Sequence, residues 1–149
     1  MPNWCQNELS VRADESALIE KIKSFLSGKD EDGEDIAIDF NKVLPMPVEL
    51  DGTHAPSFNE TDEQKAENQR LIEAYGFDNW YDWRCENWGT KWNAFHARLD
   101  YEDEGELKYS FGTPWVPPEG IIKALRNKFP DADFTLFYRE DAMQISGYI

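Results

Sequence analysis

Between Tyr75 and Phe95 the chain places four of its six tryptophans, Trp80, Trp83, Trp88 and Trp92, among Asn79, Asp82, Arg84, Glu86, Asn87, Lys91 and Asn93. Indole faces can hold a planar ring, and a guanidinium or ammonium beside them can take a phosphate or carboxylate. The candidate ligand-binding set is therefore Trp80, Trp83, Arg84, Asn87, Trp88, Lys91 and Trp92. On a helix starting at Asn79, Trp80, Trp83 and Asn87 share one face, and Tyr81, Arg84 and Trp88 another. Apolar groups on more than one face also describe an enclosed helix. The same residues thus read equally as a second hydrophobic core joining this stretch to the rest of the fold.

Other residues offer less. Asp82 and Glu86 stand at i, i+4, the spacing of a carboxylate pair, but such pairs are usually solvated. Cys5 and Cys85 form no C-x-x-C, and His54 and His96 form no H-x-x-x-H, so no metal spacing is present. Cys5 is expected to face the core, where thiols are inert. Phosphate-loop, dinucleotide and nucleophile-elbow motifs are missing. No catalytic residue, metal site or cofactor is assigned, and an enzyme resting on Asp82, Glu86 or Cys85 is the weakest reading. Asn3, Asn7, Asn41 and Asn87 can bind a ligand or tie irregular backbone together. Asp30-Glu31-Asp32-Gly33 resembles a calcium loop, but its glycine and twelfth-position glutamate are misplaced.

At 149 residues the chain is long enough for one domain with its own core. The formal charge of −15 argues against a general basic nucleic-acid binder and leaves room only for a compact basic spot. Two unpaired cysteines and no secretory segment point to a reducing cytoplasm. No apolar run is long enough to span a bilayer.

The elements that must position these residues follow from hydrophobic period. Cys5, Leu9, Val11 and Ala13 alternate with polar residues as a half-buried strand, with Asn7 on the buried side. Trp4 points the other way, which implies that something covers that end of the sheet. Asp14 is a candidate cap for a helix over Glu15–Ser27. A short strand is expected over Asp35–Phe40, then an extended segment through Pro45 and Pro47. A polar helix capped by Asn59 or Thr61 should run to Ala74, and Asp78 should cap the next, Asn79–Asn87. Phe95, Ala97, Leu99 and Tyr101, then Leu107, Tyr109 and Phe111, predict a hairpin with one buried face. A helix over Pro118–Phe129 and strands over Phe134–Tyr138 and Met143–Ile149 complete the chain. Without the long stretch between the first helix and the hairpin, this order is the split β-α-β of an α+β, ferredoxin-like fold. The expectation is a single domain over 1–149 with an aromatic-rich helical insertion over 29–92, packed on the other face or at one end of the sheet. The open face of the central strands should show Glu8, Ser10, Arg12, Lys108 and Ser110 without aromatics. That argues against base stacking in the manner of an RNA-recognition motif.

Pro2-Asn3-Trp4-Cys5-Gln6-Asn7, Phe40-Asn41-Lys42-Val43-Leu44-Pro45-Met46-Pro47, Tyr75-Gly76, Asn79-Trp80-Tyr81 and Trp88-Gly89-Thr90-Lys91-Trp92-Asn93 occur in that order over nearly the whole chain. Together they resemble the YubB-type ferredoxin-like domain family. The resemblance implies the ferredoxin-like core and carriage by phages, plasmids and other mobile bacterial elements. It supplies no catalytic residues.

The expected role is a small non-enzymatic accessory protein of a mobile element in the bacterial host cytoplasm. Its partner would be a host protein or a small nucleotide-like ligand, held by the insertion, with no direct nucleic-acid or membrane partner. The alternative is an acidic decoy. Carboxylates at Asp30–Asp35, Glu60–Glu67 and Asp100–Glu106 would imitate DNA phosphates and block a host nucleic-acid-processing enzyme.

Overall fold

The computed structural model describes residues 1–149. Strand β1 (Trp4–Arg12) is the centre of a five-stranded antiparallel sheet. Its period-two pattern buries Cys5, Asn7, Leu9 and Val11 on one face. Helix α1 (Ser16–Leu26) follows, and after the insertion come β4 (Phe95–Glu102), β5 (Glu106–Pro114), α5 (Glu119–Lys128), β6 (Asp133–Glu140) and β7 (Ile145–Tyr148). The strand order is β4-β5-β1-β6-β7. The first four strands with α1 and α5 form the ferredoxin-like α+β core, and β7 extends its β6 edge. Ile19, Ile22 and Leu26 of α1 and Ile121, Ile122 and Leu125 of α5 share one core with Leu9, Val11, Leu107, Tyr109 and Leu136 of the sheet.

The insertion joins that same core. It contains the two-residue strands β2 (Gly28–Lys29) and β3 (Asp35–Ile36), α2 (Phe40–Val43), a 3-10 turn at Val48–Leu50, α3 (Asp62–Tyr75) and α4 (Trp80–Asn87). Phe40, Val43, Leu50, Leu71, Trp83 and Trp88 are all buried within it. Phe40 meets Phe111 edge-on at 5.9 Å and Trp88 edge-on at 5.7 Å. The insertion therefore packs on the helix side, at the Phe111 end of β5, and leaves the other sheet face open.

Local chemistry explains the ends of its helices. Thr61 accepts from Gln64 N, and the Gln64 side chain accepts from Thr61 N, a complete capping box for α3. Gly76 ends α3 in the left-handed region, φ 82°, where a Cβ is costly.

Four expectations need correction. The first helix is capped at Glu15, not Asp14, without a side-chain bond. The strand over Asp35–Phe40 stops at Ile36, because Asp39 caps a turn of helix at Phe40 by accepting from Asn41 N. The cap of α4 is Asn79, which accepts from Asp82 N; Asp78 instead accepts from the Asn79 amide. Finally, β4 does not keep one buried face. Register shifts between Phe95 and Arg98 and between Leu99 and Tyr101 turn the strand over, as β-bulges do. Ala97 and Leu99 face the core, while Phe95 and Tyr101 end up exposed. His96, in the first bulge, has φ 49°.

Rings nevertheless stand at the margins of the open face. Phe95 pairs with Gly112 and stacks on Trp4 at 4.4 Å, while Phe137 and Tyr148 pair at 5.2 Å on β6 and β7. The middle of β1 is polar as expected; the rings stand around it.

Candidate functional site

Helix α4 separates the seven candidate residues into two groups. Trp83 is 7% exposed and Trp88 1%, and they meet edge-on at 6.0 Å. Trp88 Nε1 donates to the Leu44 carbonyl at 2.8 Å, which satisfies the one polar atom of a buried indole. The Asn87 amide donates to Trp83 O at 2.9 Å, within its own helix. Trp83 thus packs in the core, the Asn87 amide donor is spent within its own helix, and Trp88, though buried, lines a cleft. Lone indoles and amides look alike in sequence whether they face the core or a ligand.

Arg84 behaves differently. Its guanidinium lies 5.0 Å from the Trp80 ring and 4.8 Å from the Trp88 ring, held by two cation–π contacts. One terminal nitrogen donates to the Lys91 carbonyl at 3.4 Å. The Nε is buried with no hydrogen-bond partner. Desolvation lowers its pKa from the ordinary value, against the opposing attraction of Asp51 and Glu31. A guanidinium that has shed part of its water, and finds no acceptor for one of its donors, is a donor in waiting.

Arg84 lines a cleft of about 670 Å³ between the insertion and β4. Trp88, Trp92, Met46 and Val48 give it apolar wall, and Asp30, Glu31, Asp35, Asp39 and Asp51 make its rim acidic. Its amide oxygens already hold backbone. Asn93 Oδ1 accepts from Phe40 N and Ala94 N, its Nδ2 donates to Asp39, and Asn41 Oδ1 accepts from Met46 N. Asn7 is likewise committed, to Thr113 Oγ1 and the Cys5 carbonyl. These amides hold irregular backbone.

Trp92 lines the cleft, and Lys91 rests on it. Lys91 Nζ lies 4.5 Å above the Trp92 ring, and Trp92 reaches Trp4 at 6.1 Å. From Trp4 the rings continue through Phe95 to His96, stacked at 3.9 Å. Trp92 and Phe95 are thus what covers the Trp4 end of the sheet. Phe95, His96 and Asp51 were not legible as site residues, since the bulge and the loop that place them leave no periodic signal.

Three of the groups weighed for catalysis have visible surroundings. Asp82 accepts from the Asn79 amide at 2.9 Å. Burial pushes the Cys5 thiol up to about 11, away from nucleophilic thiolate. Cys85 is also raised, desolvation outweighing its bond with Tyr81. No three His, Cys, Asp or Glu side chains are grouped so as to hold a metal ion. No helix is long and apolar enough to cross a membrane.

Comparison with known proteins agrees with the architecture. Residues 87–149, from the end of α4 through β7, match the family described as a ferredoxin-like domain in Api92-like protein. The crystal structure of a protein api92 from Yersinia pseudotuberculosis is similar over 99% of this chain and 93% of that one, with a TM-score of 0.60 at 11% sequence identity. At that identity the similarity speaks to the fold alone. No curated protein sequence matches.

Proposed function

We propose that this chain is a non-enzymatic binding module, an accessory protein of a phage or plasmid acting in the host cytoplasm, whose Arg84 cleft takes a segment of a host protein. The observation that carries this reading is the Arg84 guanidinium itself: clamped by two indoles, without a carboxylate partner, with one buried donor unmet, at the wall of a large cleft. A carbonyl or carboxylate of the partner would complete its hydrogen bonding. The acidic rim favours lysine or arginine on either side of that acceptor. The same rim, with Lys29 pairing Asp35 but Asp30, Glu31, Asp39 and Asp51 lacking such a cation, opposes the phosphates of a nucleotide-like ligand. The mobile-element setting rests on the resemblance to YubB-type domains.

Capture from host lysate with wild type and Arg84→Met, at low and high salt, tests the reading. Methionine keeps an apolar stem between the indoles and removes the donors. Loss of a specific partner in the variant, at unchanged melting temperature, supports the cleft. Equal retention by both proteins would sink it. Retention that is equal but vanishes with salt points to the acidic-decoy alternative, in which surface charge does the binding.

A further inference from the structure

We infer that the free edge of β7 is a contact surface for a second copy of this chain, which adds its own β7 antiparallel and joins the two sheets into one. β7 ends the sheet, with β6 on one side and no strand on the other. Ile149 N donates to Leu136 O at 2.9 Å and Leu136 N to Ile149 O at 3.4 Å, so these two residues exchange both bonds. From such a pair an antiparallel ladder alternates. Gly147 and Ile145 therefore turn their backbone groups towards Tyr138 and Glu140, while Ser146 and Tyr148 turn theirs off the edge. The N–H and carbonyl of each stand ready for another strand.

The two edges of the sheet differ. β4, on the far side, carries Arg98, Asp100 and Glu102 and two register shifts, devices that keep strands from adding. β7 has neither. Its register with β6 is unbroken, and no side chain from Ala142 to Ile149 is charged. Met143, Ile145 and Tyr148 are exposed along it, Tyr148 at 74%.

This edge complements itself, and that selects the occupant. Opposed residues in an antiparallel pair share a sheet face, so between identical strands the two-fold axis falls at a residue, not between two. With Gly147 on the axis, Ser146 meets Tyr148 of the second copy and exchanges both bonds with it, and the reverse pair does the same. Every outward backbone group of β7 is then used. Ile145 meets Ile149 of the second copy on the helix side, apolar against apolar. Gly147 meets itself at the closest spacing of the ladder, about 4.5 Å. It suits that place, since a Cβ there would already stand 3.0 Å from the Tyr138 hydroxyl. An axis at Ser146 fits worse, because it sets Tyr148 against Gln144, whose φ of 55° is left-handed rather than extended. On a chain of charge −15, an uncharged strand is where two copies can approach without like charges opposed. A strand pair this short lies below the roughly 1,200 Å² of a stable interface, so the dimer is a weak one.

The test is analytical ultracentrifugation of the full chain over roughly 0.01–1 mM, the range of a weak interface, joined to amide exchange read by NMR. Wild type should pass from monomer to dimer, with more dimer as salt rises, because salt screens the repulsion between two acidic bodies. Ser146→Pro removes an outward N–H where an edge strand tolerates proline, and Tyr148→Lys sets a charge on the edge. Each should weaken dimerisation about 10- to 100-fold, the loss of two hydrogen bonds per dimer. Tyr148 is exposed enough that its variant stays folded, so it decides the matter should Ser146→Pro unfold. The Ser146 and Tyr148 amides should exchange more slowly as protein concentration rises, while the Gly147 amide, turned towards β6, should not change. Arg84→Met should dimerise as wild type does, since the cleft is not involved. A monomer at every concentration, a dimer kept by Tyr148→Lys, or Ser146 and Tyr148 amides indifferent to concentration would overturn the inference. So would a monomer that takes a strand of some other protein on this edge.

Discussion

A Cβ on Gly120 would overlap the carbonyl oxygen of Asn87. The last turn of α4 thus rests directly on the first turn of α5, and Gly120 N donates to the Trp88 carbonyl at 3.2 Å. Gly89, in the same junction, has φ 85° and the Glu119 amide 2.9 Å from where its Cβ would be. Backbone on backbone is a contact that only glycine permits.

Gly120→Ala should therefore destabilise the fold by about 1–3 kcal/mol or more, the cost of overpacking where neither neighbour is a flexible side chain. Its propensity gain as a helical alanine, at most about 1 kcal/mol, works in the opposite direction. Chemical denaturation checks the sign. A neutral or stabilising result would mean that α4 does not dock on α5.

Asn93→Ala removes three hydrogen bonds at once, leaving Phe40 N and Ala94 N without the acceptor and Asp39 without the donor. Unmet buried groups cost about 1–3 kcal/mol each, less where water can enter, as it can here beside the cleft. A loss of about 2–4 kcal/mol is expected, together with faster exchange of the Phe40 amide in hydrogen-exchange measurements. Asn93→Asp should be milder, because the acceptor survives.

A third expectation concerns pH. Arg70 bonds Glu67 at 2.6 Å and Glu49 at 2.7 Å, and Tyr75 adds a bond to Glu49, which ties α3 to the Val48–Leu50 turn. Bonding to Arg70 holds both carboxyls below the usual range, with Tyr75 helping at Glu49. Carboxyls depressed in the folded state contribute stability above their unfolded pKa, about 4.3, and lose it as pH falls through the lower folded value. Arg70→Ala should therefore flatten the acid limb of melting temperature against pH below about 4.5, with little change in shape above pH 6. An unchanged acid limb would show that solvent screens the network completely.

The sequence is most readable where one physical rule acts alone. The alternation of β1, a cap at Thr61 and the glycine stop at Gly76 each follow from a local rule and appear as expected. Readability fails where tertiary context chooses. Phe95 and Tyr101 fit a buried strand face by period, yet two bulges turn them outward, and a bulge has no periodic signature. Phe40 sits in a stretch that alternates like a strand, but Asp39, Asn41 and Asn93 bind its backbone into a helical turn. Within the candidate site, Trp92 differs from Trp83 only in what lies across from it. That is set by residues far away in the chain, such as Leu44, which receives the Trp88 N–H.

The two thiols give the last prediction. Cys5 is fully buried in the sheet core, with its pKa raised to about 11 by burial first and by Glu140 in part. Cys85 is exposed on α4, its pKa raised by desolvation and lowered in part by its bond with Tyr81. A thiol reagent attacks only thiolate that it can reach. The native protein should therefore release one equivalent of chromophore with an aromatic disulfide reagent, slowly at neutral pH and faster as pH rises, and a second only on denaturation. Tyr81→Phe removes the hydrogen bond that partly offsets desolvation, so it should slow the Cys85 reaction. Two equivalents from the native protein would place Cys5 outside the core and break the register of β1 against β5 and β6, on which the whole sheet depends.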